Sequence, residues 1–193
     1  MEDFWLYFSL GWDHIMNFGA LDHILFILAL TAIYILSDWK QVLILITAFT
    51  IGHSLTLALS TFHIIRIPVL WVEFLIPCTI LVTSFSNLFI KLGNGKQINL
   101  NYAFALIFGL IHGLGFASGL QSLLSKNESI LVPLLGFNLG LEVGQIIIVL
   151  IILLISGFII SKLKMSRKKW IIFLSLGVFS LALKMALERF PGH

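Results

Sequence analysis

Long apolar runs alternate with short polar connections along the whole chain. A membrane-spanning helix needs about 20 mostly apolar residues. Segments 22–37, 41–63, 67–90, 101–124, 132–160 and 170–187 meet or approach that length. The first is short and the fifth is long, so tilt or extension past the bilayer is expected there. Residues 4–16 are shorter and more polar at one end. Their Trp5, Tyr7 and Trp12 suit the headgroup region, where amphipathic rings settle. This segment is expected to be an amphipathic interfacial or re-entrant helix on the outer face, with a seventh span as the rival. The pattern therefore predicts an all-α, polytopic transmembrane helix bundle of six or seven spans, in a single domain covering residues 1–193.

Composition makes lipid the solvent. Hydrophobic residues are 59% of the 193 and charged residues 11%, with a mean hydropathy of +1.06. Soluble domains average roughly 45–50% apolar and about 25% charged. The net charge of +3 points to no nucleic acid, because the excess sits in one run beside a span. That run is Lys162, Lys164, Arg167, Lys168 and Lys169. The positive-inside rule puts it in the cytoplasm. Counting back through the spans places 91–99 and 38–40 on the same side, and both termini outside the cytoplasmic membrane. Met1-Glu2-Asp3 lacks the positive region of a cleavable signal, so insertion is expected through the first span. Cys78 stands alone, which excludes an internal disulfide and a cysteine zinc cluster.

Candidate chemistry lies inside the spans, where charge is expensive and usually faces the bundle interior. Thr50, His53 and Thr56 share a helical face, and His112 shares one with Gly115 and Gly119. Glu73 and Pro77 line up in the third span. In the fifth span, Gly136, Gly140 and Gly144 form a ridge suited to close helix packing. Asn138, Glu142 and Gln145 gather on its other side. Asp22 and His23 open the first span, and Asp22 alone would serve as an N-cap. His14, Asp22, His23, His53, His112 and Glu142 all map to the outer half or middle of the bilayer. A shared metal site explains them together, and imidazole with carboxylate suits a divalent transition ion such as nickel or zinc. Homo-oligomer formation through the glycine-rich helix faces is a further expectation.

These residues sit in segments that resemble the HupE/UreJ family of nickel permeases and hydrogenase or urease accessory proteins. The matching stretches are 11–30, 49–60, 73–87, 108–120 and 137–150, including FTIGHSLTLALS, FGLIHGLGFASGL and FNLGLEVGQIIIVL. The resemblance implies a six- or seven-helix membrane fold and transport of nickel or a related metal. It carries metal-site roles onto His14, Asp22, His23, His53, His112 and, by position, Glu142. Seven residues separate His14 from Asp22 here, where the family motif has five.

Two function classes follow. The leading one is a transition-metal permease with the ion held by intramembrane His and carboxylate residues. The alternative is an intramembrane zinc-dependent metalloenzyme of hydrolase type, with three protein ligands and an open position for water. Haem ligation by His53 and His112, and a metal-free partner subunit, are the remaining options.

Overall fold

The computed structural model describes residues 2–17, 21–89, 95–123 and 130–192. Within them lie α1 (Glu2–Met16), α2 (Leu21–Thr31), α3 (Trp39–Thr61), α4 (Val69–Leu88), α5 (Gly95–Leu123), α6 (Leu131–Ser161) and α7 (Arg167–Glu188). This is the all-α bundle that the apolar pattern predicts. A helix pairs its backbone groups within itself, which hydrocarbon demands because it offers no partner of its own. Five spans coincide closely with α3 to α7. The loop charges Lys91, Lys126 and Glu128 lie outside the described residues.

Among the described residues, the helices of α3, α4, α6 and α7 are long and apolar enough to cross a membrane alone. The apolar part of α5, Asn101–Phe116, is shorter. The expected span 22–37 needs correction, since its helix stops at Thr31. At 15 and 11 residues, neither α1 nor α2 reaches across roughly 30 Å of hydrocarbon. They form a bent pair whose axes differ by 71°.

Side chains, near and distant, receive the chain where α2 ends. Thr31 Oγ1 turns back to the Ile27 carbonyl at 2.6 Å. Beyond it, Arg167 Nη2 donates to the Ile33 carbonyl at 2.6 Å and to Asp38 Oδ2 at 3.3 Å. The Ile35 N–H donates to the same Asp38 oxygen at 3.1 Å. Backbone groups that leave the helix thus find side-chain partners, as buried backbone polar groups must. A 3-10 turn over Leu36–Asp38 then leads into α3.

Close backbone contact organises the bundle. α1 runs beside α6 in the same direction, with Phe4 at Gly136, Phe8 and Trp12 at Gly140, and Ile15 at Gly144. The amino-terminal helix therefore enters the bundle rather than lying across its rim. A Cβ on Gly140 would collide with the Phe8 carbonyl oxygen. The second such contact joins α3 to α5, where Gly109 meets the Phe49 carbonyl and Gly113 the His53 carbonyl. The glycine ridge of α6 is thus filled by α1 of the same chain. A second copy that packed through glycines would have to use another face.

Gly140→Leu is expected to lower stability by about 1–3 kcal/mol or more, because the obstacle is backbone and cannot rotate aside. Gly157→Leu is the control, having nothing within 4 Å of a built Cβ. It should stay within about 0.5 kcal/mol of the parent. Unfolding of both purified variants in detergent checks the difference, and equal losses would contradict the packing described.

Candidate metal centre

Four helices bring one histidine each to a common region. His14 comes from the last turn of α1, His23 from the first turn of α2, His53 from α3 and His112 from α5. Ring centroids run from His53 to His14 at 6.3 Å, His14 to His23 at 4.5 Å, and His23 to His112 at 5.5 Å. The imidazoles form a continuous array. His14 joins it in spite of its long sequence separation from Asp22, because the bend between α1 and α2 folds the two rings together.

The surroundings are apolar. Phe116 and Phe137 pack on His14 at 4.5 and 5.5 Å, and Phe137 also stacks with His53. Phe26 and Phe49 flank His112 at 5.1 and 5.3 Å. His53 is 0% exposed and His112 2%. Buried side-chain nitrogens ordinarily find a partner, and each exception calls for a reason. Here His14 Nε2 and His112 Nδ1 are buried with no hydrogen-bond partner, and neither ring nitrogen of His53 makes a well-formed bond, although the Asn138 side chain faces that ring. The Asn138 amide oxygen likewise makes no well-formed bond, and its Nδ2 donates to the Leu134 carbonyl at 2.7 Å.

Two imidazoles have polar neighbours that favour one tautomer. His23 Nδ1 lies 3.1 Å from Asp22 Oδ1, and a carboxylate can only accept, so this nitrogen carries the proton. The lone pair of His23 is then on Nε2. Thr79 Oγ1 donates to the Ile76 carbonyl at 2.7 Å and lies 3.4 Å from His112 Nε2, from which a hydroxyl with its proton so placed can accept. The lone pair of His112 is then on Nδ1, one of the unpartnered atoms. Hydrogen bonds of this kind set which nitrogen can bind a metal.

Asp22 is saturated. Its Oδ1 also accepts the His23 backbone N–H at 3.0 Å, and its Oδ2 accepts Arg189 Nη1 at 3.1 Å. A cavity of about 270 Å³ opens beside the array, bordered by His14, Asp22, His23, His112, Gly115, Phe116, Ile76, Glu73 and Arg189. Gly115 lies on this wall with His112, as their shared helical face suggested.

Of the six residues expected at one site, Glu142 alone stands apart. Its Oε1 accepts Thr47 Oγ1 at 2.8 Å, in a seam between α3 and α6 where Gln145 also accepts Thr50 Oγ1 at 3.2 Å. It does not border the cavity. Among the described residues, no three His, Cys, Asp or Glu side chains are arranged to hold one ion together. The donors stand in succession instead. Sequence reading missed Arg189 and Thr79. A lone arginine after the last span looks like an ordinary membrane anchor, and a threonine in a span like one bonding to its own helix.

The Asp22–Arg189 bond ties α2 to the end of α7, and a double-mutant cycle measures it. Asp22→Ala leaves both His23 Nδ1 and Arg189 without a partner and should cost about 1–3 kcal/mol. Adding Arg189→Ala should cost clearly less than the sum of the singles. Strict additivity in thermal or denaturant unfolding would mean that the pair does not form.

The model of the family described as HupE / UreJ protein matches residues 1–189, nearly the entire chain. Neither a curated protein nor a solved structure matches it. The family match and the ordered motifs agree with the helical membrane architecture found here. The chain belongs to the HupE/UreJ family.

Proposed function

We propose that this protein is a transition-metal permease of the nickel type, whose cargo passes along the imidazole array. The observation that carries this reading is the set of buried nitrogens on His14, His53 and His112 that make no well-formed hydrogen bond. Neutral imidazole nitrogen is a good ligand for nickel, copper and zinc and a poor one for magnesium or calcium. The family is associated with nickel or cobalt transport or accessory function, which favours nickel over zinc as cargo.

A transport site has to load an ion and also release it. An array of donors 4.5–6.3 Å apart between ring centres suits hand-over between neighbouring ligands, without a thiolate to trap the ion. His14, His23 and His112 meet the ion at the cavity, and His53 takes it deeper. Asp22 acts through His23, keeping Nε2 free to ligate. Glu142, paired with Thr47, is outside this ligand set. The break between α1 and α2 falls beside the array, and interrupted helices are a recurrent way to build midplane sites in transporters.

The proposed location is the cytoplasmic membrane, with both termini outside. The Arg167–Asp38 pair supports it by joining the connections around 38–40 and 162–169, which the charge pattern assigns to one side. On a Cys78→Ser background, an impermeant thiol reagent added to intact cells should label Lys126→Cys and spare Lys164→Cys. Labelling at 164 would reverse the topology.

Uptake is tested with purified protein in liposomes containing a nickel-responsive dye. The parent should take up nickel faster than protein-free vesicles, and His23→Ala and His112→Ala should each slow it about tenfold or more. Parent vesicles no faster than empty ones would sink the permease reading. Tightly held stoichiometric zinc in such a preparation would favour the metalloenzyme instead.

A further inference from the structure

The cavity beside the imidazoles is also bordered by two carboxylates and one guanidinium, those of Asp22, Glu73 and Arg189. Glu73, near the start of α4, is exposed. Carboxylates that line an open cavity offer what calcium and magnesium seek, since hard cations prefer oxygen ligands. A permease for transition ions has to refuse them. Refusal of a competitor commonly needs a built-in repulsive element as well as good contacts to the right ligand.

Arg189 has the position for that role. Its Nη1 occupies Asp22 Oδ2 at 3.1 Å, while the other oxygen is taken by His23. Its side chain is 32% exposed, so the remaining guanidinium donors are reachable from outside. Its backbone is fixed too: the N–H donates to the Met185 carbonyl at 3.0 Å. The next residue, Phe190, packs edge-on against Phe74 of α4 at 5.4 Å. That contact keeps the end of α7 beside the helix that carries Glu73.

We propose that Arg189 is a specificity-determining residue, a tethered cation that withholds the Asp22 carboxylate from hard divalent ions. An alkaline-earth ion entering the cavity meets a positive charge and an oxygen donor already in use. A nickel-type ion is taken by nitrogen and has no need of Asp22. The inference rests on the imidazole array being the cargo's route, but calcium binding can be measured without reference to nickel.

Equilibrium dialysis of the purified full chain in detergent with radiolabelled calcium is the test. The parent should bind no calcium at about 1 mM, within the range of weak extracellular calcium sites. Arg189→Gln should bind calcium measurably at that concentration, where the parent does not. Adding Asp22→Asn or Glu73→Gln should abolish that gain. Arg189→Met, uncharged and of similar reach, replaces Arg189→Gln if the latter does not fold. Calcium binding by the parent at this level overturns the proposal. So does a folded Arg189→Gln or Arg189→Met variant that binds no more than the parent. Failure of the permease reading shows differently, as absent nickel uptake by the parent.

Discussion

Everything at this centre depends on how closely two pairs of helices approach. Lipid tails are as apolar as leucine, so no hydrophobic force pushes helices together inside a membrane, and packing has to supply the association. α1 reaches α6 through Gly136, Gly140 and Gly144, and α3 reaches α5 through Gly109 and Gly113. Both contacts end at a histidine. Gly113 follows His112 directly and touches the carbonyl of His53, so the contact that joins α3 to α5 also sets the depth of both rings. On the other pair, Gly144 holds Ile15, the neighbour of His14. The glycines and the imidazoles are parts of one arrangement.

The aromatic residues add a second constraint. Phe26, Phe49, Phe116 and Phe137 surround the rings on the sides that the cavity leaves open. They keep water away from nitrogens that would otherwise be hydrated, and they offer no competing donor or acceptor. Polar order comes from the far side of each ring instead, through Asp22 behind His23 and Thr79 behind His112. An imidazole with one nitrogen committed and the other bare is prepared for an electron-pair acceptor before any arrives. His23 and His112 each have one nitrogen committed in this way, whereas neither ring nitrogen of His53 is.

Much of this was legible in the sequence, for a physical reason. The bilayer fixes span length, so α3, α4, α6 and α7 fall within three residues of the ranges read from hydropathy at either end. Glycine spacing located the α6 ridge, and the cost of burying polar groups singled out the four histidines and Asp22. What failed were features made by distant partners. The helix break after Thr31 lies in an apolar stretch, Ala32 to Ile35, that gives no local warning. It depends on an arginine 134 positions away from Ile33. Glu142 has intramembrane polarity like the others, and only the facing Thr47 shows that it serves a different seam. Arg189 acts through reach, which periodicity does not encode.

The two arginines that bracket α7, Arg167 at its start and Arg189 just past its end, have a mechanical meaning when taken together. Arg167 at one end grips the chain just past α2, and Arg189 at the other grips its first turn. α2 is consequently fastened at head and foot to a single neighbouring rod. It cannot slide along its own axis without breaking one of the two clasps, and it cannot tilt without dragging α7 with it. His23 rides on that fastened piece, while His14, His53 and His112 belong to others. α4 packs along both helices, so the piece that carries His23 is a three-helix body of α2, α4 and α7.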